Sequence, residues 1–251
     1  MQETDFVSGF ARGLKVIEAF GEATPKLTIA DVARATELDR ATARRCLLTL
    51  AELGYADHDG KFFVLTPKIL RLGHAYLSAT PLPHIVQPFL DKLSEEVHQS
   101  ASASVLDGTE IVYIARASQK RVMSINLMPG SRLPAYCASM GRVMLAALPE
   151  EEARVLLEQT VLKAFTPNTK TDPAELMQEF ARVRDQGFAV INQELELGLC
   201  SIAVPLTNDR GRVIAALNIG APAAQVSADE MAERYLQPLK AVAKSLKPML
   251  R

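Results

Sequence analysis

The chain has 251 residues, 48% hydrophobic and 23% charged, with 28 Lys and Arg against 29 Asp and Glu. That length holds one large domain or two smaller ones around a buried core, and the composition is that of an ordinary globular protein, not a disordered or membrane-spanning one. A net charge of −1 excludes a bulk polycation. Residues 1–80 carry ten basic and ten acidic side chains, so any nucleic-acid contact must come from a local patch.

The first predicted element is a helix in "FARGLKVIEAFGE" (10–22), burying Leu14, Val16, Ile17 and Phe20. "LTIADVARATEL" (27–38) gives a second, with Thr28 as N-cap and Asp31 completing a capping box. Ile29, Val32, Ala33 and Leu38 are its packing positions. A short connector, Thr36-Glu37-Leu38, has the length of a helix-turn-helix turn. In "LDRATARRCLLTLAELGY" (38–55) Asp39 is the N-cap and Gly54 suits the left-handed end. Ala43, Cys46, Leu47, Leu50 and Leu53 form one buried stripe, with Thr42 and Arg45 on the opposite face and Arg40, Ala41 and Arg44 flanking them. "GYADHDGKFFVLTP" (54–67) reads as strand, Asp-Gly turn, strand, with Lys61 beside the turn. By itself the arginine-bearing segment fits an ordinary surface helix with solvated charges. Three helices and a two-stranded wing in about 65 residues make a winged helix-turn-helix instead. Thr42 and Arg45 then face a DNA groove, Arg40 and Arg44 suit phosphates, and Thr28, Ala41 and Lys61 complete the expected DNA-binding set.

Residues 67–78 follow helical spacing, with exposed-looking Leu70, Tyr76 and Leu77 suggesting a subunit contact, before Pro81 and Pro83 break the chain. The expected divisions are 1–66, a connector at 67–82, and 83–251. An amphipathic helix over about 83–98 is followed by a hairpin in "ASASVLDGTEIVYIARA", a third strand in "RVMSINLM" and a loop in "PGSRLPAYC". Helices at 138–147, 150–158 and 173–186 precede strands in "FAVINQELE", "LCSIAVPLT" and "RVIAALNIG". Ser227 and Glu230 cap a closing helix. The fold class is α+β, an antiparallel sheet covered by helices, and no phosphate-binding glycine motif argues for a nucleotide fold.

Cys46, Cys137 and Cys200 form no Cys-x-x-Cys pair, and neither a signal segment nor a long apolar span is present. A reduced, cytoplasmic protein off the membrane is expected. Cys137 and Ser139, just before a helix, could be nucleophiles or merely small residues in a tight loop. His58, His74, His84 and His98 lack metal-ligand spacing, and no nucleophile elbow is present. No enzyme, metal or cofactor is therefore expected. Glu194 and Glu196 on a predicted strand would share a face, as an acid–base dyad or, better favoured, as solvated or salt-bridged surface charge. Tyr136 either contacts an aromatic ligand or packs beside the loop.

The segments "RGLKVIEAF", "TIADVA", "RATARRCLLTLAELGY", "GSRLPAYCASMGRVMLA", "QELELGLCSIAVPL" and "GRVIAALNIGAP" resemble, in order and end to end, the IclR-type bacterial transcription regulators. "LPAYCASMGRV" with "QELELGL" is most similar to the branch controlling protocatechuate and 4-hydroxybenzoate catabolism, the β-ketoadipate pathway. The resemblance implies a winged-helix N-terminal domain and a GAF-like effector domain. It also implies a homodimer or tetramer on double-stranded operator DNA. The implied effector is a small aromatic or dicarboxylic acid such as 4-hydroxybenzoate, protocatechuate or β-ketoadipate. Carried over by position, the pocket's apolar wall falls on Val122, Ile125, Leu133 and Leu199, with Tyr136 beside it. The amides receiving a carboxylate fall on Ser139 and Met140, at a helix start where free N–H groups and the helix dipole favour an anion. Far-side polar positions fall on Ser201, Asn218 and Gly220. Ile191 departs from an acidic residue, and Gly220 from a hydroxyl, common in small-acid sensors of the family; both departures favour a larger, more apolar acid. A GAF-type sensor acting through protein partners, or another small-acid pathway, remains open on the same residues.

Overall fold

The computed structural model describes residues 6–21, 23–119 and 127–250, with backbone alone at 77 and 78. The chain divides into two compact units, 1–79 and 80–251.

The first unit holds α1 (Ser8–Glu18), α2 (Ile29–Thr36), α3 (Arg40–Glu52), the strand pair β1 (Ala56–His58) and β2 (Phe63–Leu65), and α4 (Leu70–Ala79). Its turns are written in its caps. Thr28 Oγ1 accepts from the Asp31 amide at 3.2 Å, and the Asp31 carboxylate accepts from the Thr28 amide at 3.0 Å. Asp39 Oδ1 caps α3 by accepting from the Thr42 amide at 2.8 Å. Between these caps the chain reverses at Glu37, whose φ of 58° is left-handed, so the connector is Glu37–Asp39 and Thr36 is the last helical residue. Gly54, at φ 74°, leaves α3 as expected. The wing is antiparallel, with Ala56 opposite Leu65, and Asp59 Oδ1 ties its turn by accepting from the amides of Lys61 and Phe62 at 2.9 and 2.7 Å.

Val16, Val32, Ala43, Leu47 and Phe63 are the fully buried centre of this unit. Two expectations fail at its margin. Leu14 is 39% exposed, because two residues before Val16 is nearly the opposite side of a helix. Leu53 is exposed because it falls just beyond the last turn of α3.

The second unit contains α5 (Leu82–Val97), β3 (Ser100–Asp107), β4 (Glu110–Ala117), β5 (Arg132–Pro134), α6 (Ser139–Ala146), α7 (Glu150–Glu158), α8 (Pro173–Gln186), β6 (Ala189–Asn192), β7 (Leu199–Thr207), β8 (Val213–Pro222) and α9 (Ala228–Leu246). The strands form one antiparallel sheet in the order β5-β4-β3-β8-β7-β6. Most of the expected strand at 121–128 lies outside the described residues. The expected loop instead contributes β5, because Arg132 is fastened to the β3–β4 turn by Asp107 at 2.8 Å and Glu110 at 2.7 Å. Among the described residues no helix is long and apolar enough to cross a membrane.

Side chains alternate along each strand, so the sheet has two characters. One face carries Ala101, Ala103, Ala115, Leu217, Ile219 and Ile202 in an apolar core with Leu90 of α5 and Met231 and Leu239 of α9. The other carries a stripe of buried serines, Ser100, Ser102 and Ser104, in the middle of the sheet. Ser102 lies opposite Arg116 on one side and Asn218 on the other, while Ser100 lies opposite Gly220 and Gly220 opposite Ser201. α6 covers this second face: Ser104 Oγ lies 3.2 Å from Met140 Sδ, and the Ser201 hydroxyl 3.0 Å from that of Ser139.

Gly141 allows the turn at Ala135–Cys137 to lie against α6, since a Cβ at 141 would stand 2.1 Å from the Ala135 carbonyl oxygen. The obstacle is backbone and cannot rotate away. Gly141→Ala is expected to cost about 1–3 kcal/mol, the range of overpacked cores, read as a lower urea midpoint. An unchanged midpoint would show that this contact yields.

Candidate functional site

The space between α6 and the serine-bearing face is a small cavity open at its mouth. α6 enters it by its N-terminus. Ala138 holds the cap position and has no side chain to accept a hydrogen bond, unlike Thr28, Asp39, Asp172 or Ser227 at other helices. No acceptor among the described residues reaches the amides of Ser139 or Met140. Uncapped amides at a buried helix end are the condition under which a polar ligand is stabilised there.

Around this end the structure brings together Leu133, Ser139, Met140, Ile191, Leu199, Ser201, Asn218 and Gly220, all expected from the sequence. Val122 and Ile125 lie outside the described residues. Tyr136 is a correction. It does not line the cavity; its hydroxyl donates to the Lys163 carbonyl at 2.5 Å and accepts from the Lys163 amide at 2.9 Å. Burial pushes that phenol up to about 12, so it stays protonated and holds the chain after α7 in place.

Ser100, Tyr113, Arg116, Cys137, Ala138 and Leu195 also line the cavity and were missed. Two signals were available: the period-two serines of "SASAS" (100–104), the first of which lines the cavity, and one arginine ending the apolar run "IVYIAR". Arg116 donates from Nη1 to Ser102 Oγ at 2.9 Å, and among the described residues no carboxylate pairs with it. Its backbone is held by Gln87, which accepts from the Arg116 amide at 3.2 Å and donates to its carbonyl at 3.1 Å. Ser100 Oγ and Asn218 Oδ1 are buried with no hydrogen-bond partner among the described residues.

Cys137 is no thiolate: burial, with the charge of Glu194 added, pushes its thiol up to about 12 despite the opposing pull of Arg142. The Ser139 hydroxyl faces Ser201 rather than a base. Among the described residues no cluster of His, Cys, Asp or Glu is placed to hold a metal.

Glu194 and Glu196 lie on the loop between β6 and β7, not on a strand, and Glu194 is only 4% exposed. The surface-charge reading therefore fails for Glu194. Arg142 of α6, 1% exposed, donates to Glu194 Oε2 at 2.6 Å and to the Tyr136 carbonyl at 2.8 Å, and lies 3.7 Å from Glu179. The Lys170 amide adds a bond to Glu194 at 3.1 Å. Burial pushes the Glu194 carboxyl upward while Arg142 and Lys170 pull it down. This network fastens α6 to the loop that carries Leu195.

In the first unit Arg40, Ala41, Arg44 and Arg45 are exposed on the opening turns of α3, and Lys61 is exposed on the wing. Thr28 is half-buried with its hydroxyl committed to Asp31 at 2.6 Å. Thr42 is the second correction: it is 6% exposed, covered on the side where α1 packs. Its hydroxyl accepts from Arg45 Nη2 at 3.3 Å, so it orients Arg45 instead of reaching outward.

A three-helix unit with a wing and exposed arginines on its third helix, followed by a sheet unit enclosing a polar-ended cavity, defines a ligand-responsive DNA-binding regulator. Residues 10–60 match the IclR helix-turn-helix domain, and residues 74–247 match the bacterial transcriptional regulator IclR C-terminal domain. The chain belongs to the IclR family and is a transcription regulator, not an enzyme. It is 47% identical over 245 residues to the Pca regulon regulatory protein of Pseudomonas putida, covering 97% of this chain and 84% of that one. The crystal structure of a transcriptional regulator from Rhodococcus sp. RHA1 superposes with a TM-score of 0.81 at 45% identity, covering 96% and 97% of the two chains. A double mutant of the PobR inducer-binding domain from Acinetobacter, solved with 3-hydroxybenzoic acid, matches at TM-score 0.64 and 33% identity, over 67% of this chain and 98% of that one.

Arg142 is the charge on which the network converges. Arg142→Met leaves Glu194 and Glu179 buried with less compensation and is expected to cost about 3–5 kcal/mol in denaturant unfolding. Adding Glu194→Gln should recover part of the loss. A single variant as stable as the wild type would overturn this account of the pair.

Proposed function

We propose that this protein controls genes of aromatic-acid catabolism in the β-ketoadipate pathway, binding operator DNA through α3 and a small aromatic or dicarboxylic acid in the cavity. The carrying observation is the uncapped α6 N-terminus, opening among the side chains expected to surround an acid effector. The printed names of the Pca and PobR relatives support the pathway. On this reading residues 1–66 hold the DNA-binding domain, 67–82 connect, and 83–251 hold the effector. Arg45 reads a base edge. Arg40, Arg44 and Lys61 contact phosphates, Ala41 permits close approach, and Thr28 fixes the start of α2. The effector carboxylate rests on the Ser139 and Met140 amides, with Ser201 and Asn218 reading its other polar groups. Leu70 at 70% exposure, Tyr76 and Phe10 supply apolar surface for a homodimer or tetramer, placing two copies on half-sites about one helical turn, or a multiple, apart. The side chain of Leu77 lies outside the described residues.

Arg45→Ala is expected to weaken operator binding by about 1–3 kcal/mol while sparing non-specific binding. Arg44→Ala should weaken all sequences alike and reduce the salt dependence by about one phosphate. Band shifts at several salt concentrations test both, and an Arg45→Ala protein with wild-type operator affinity would remove α3's base contact from the account.

Ser139→Pro deletes one amide donor at the first position of α6, where proline is well tolerated. It should lower effector affinity sharply, Ser139→Ala should lower it little, and the methyl ester should bind far more weakly than the acid. Calorimetry that finds acid and ester equal would overturn the carboxylate placement.

A further inference from the structure

We propose that Arg116 is a specificity-determining residue forming a second anion-binding point on the β3–β4 side of the cavity, away from the α6 N-terminal amides, so that the cavity selects acids with two ionised groups over acids with one. This rests on the reading of the cavity as the effector site.

The charge of the lining points there. None of the described lining residues is Asp or Glu, and residues 120–126, outside the described set, contain neither. Arg116 therefore faces the cavity as a permanent cation without a carboxylate beside it. Arg116 is half-buried, so it keeps part of its hydration, and the part it loses is costly unless a partner meets the charge. Nor is its position accidental: Gln87 grips both backbone groups of Arg116, and Ser102 Oγ takes one guanidinium N–H at 2.9 Å. The remaining donors of the planar fork match a carboxylate in geometry.

The distance across the sheet separates this cation from the first anion point. Ser139 rests on Ser201 of β7, whereas the guanidinium rests on Ser102 of β3, and β8 lies between those strands. Two strand spacings are roughly 10 Å, too far for one carboxylate to serve both ends. A monoanion would leave either the α6 amides or Arg116 without an anionic partner. A dianion satisfies both. Ser100 Oγ and Asn218 Oδ1, buried and unpartnered among the described residues, lie on the two strands in and beside this gap, where a neutral oxygen of the connecting segment would meet them.

Calorimetry on the full chain, wild type and Arg116→Gln, with two matched pairs of acids, tests the proposal. The pairs are β-ketoadipate against levulinate, which lacks one of its carboxylates, and terephthalate against 4-hydroxybenzoate. Wild type is expected to bind at least one two-headed acid about tenfold or more tightly than its one-headed partner. Arg116→Gln should erase that preference, weakening the two-headed acid about tenfold and changing the one-headed acid less than about threefold. Arg116→Lys, which keeps the charge and loses the fork, should fall between them and serves if the glutamine variant does not fold. Arg116→Gln weakening both members of a pair alike, or a wild type without preference, overturns the proposal and leaves the effector site standing. A wild type that binds none of the four acids overturns both.

Discussion

The buried pair of Arg142 and Glu194 is the constraint on which the ligand-binding half depends. Arg142 sits one turn into α6, and Glu194 on the loop that carries Leu195 into the cavity, so the pair fixes one wall against another at 2.6 Å. Two fully desolvated charges stabilise a fold only when their other hydrogen-bonding valences are met. Here they are, by the Tyr136 carbonyl, the Lys170 amide and Glu179. Tyr136 in turn pins Lys163, and Gly141 lets α6 settle on Ala135. The N-terminus of α6 is thus fixed from several directions while its own first amides are left open toward the cavity.

That combination reverses the usual order of protein interiors. Cores are apolar because unpaired polar groups are expensive to bury. The opposite face of this sheet obeys, with alanine, leucine and isoleucine meeting α5 and α9. The face under α6 instead buries three serines and an asparagine, and carries a half-buried arginine. A sheet can carry both because period two sends alternate residues to opposite sides, so "ASASV" places alanines in the core and serines on the face under α6. Under the proposed function a polar ligand entering the cavity offsets the cost of those groups that have no protein partner, Ser100 and Asn218.

How much of this was legible follows from the range of each interaction. Elements fixed by local chemistry were readable: the capping boxes at Thr28 and Ser227, the Asp39 cap and the glycine at 54 all stand where the sequence put them. The family resemblance named Ser139, Ser201 and Asn218 together, and the structure brings them around one cavity. What escaped depends on pairings distant in sequence. Glu194 read as surface because Arg142, 52 residues away, is invisible to local pattern. Tyr136 stayed open between ligand contact and loop packing because its partner is the backbone of Lys163, 27 residues away. Thr42 read as groove-facing because helical periodicity gives the face of α3 but not the reach of α1 across it. Arg116 escaped because only its register opposite Ser102, set by the pairing of β3 with β4, puts it on the cavity face.

The first unit works under a different limit. Its basic and acidic side chains are equal in number over residues 1–80, so under the proposed function attraction to DNA rests on a few exposed cations, Arg40, Arg44, Arg45 and Lys61, rather than on a broad field. Affinity and its salt dependence follow the number of phosphates neutralised, which is small for one copy. Under the proposed assembly, joining two copies turns the second contact into an intramolecular one, and the gain depends on whether both α3 helices reach their half-sites together. A ligand in the second unit then needs no contact with α3 to control it. It needs only to bind one arrangement of the paired copies better than another, because an equilibrium shifts by no more than that difference in affinity.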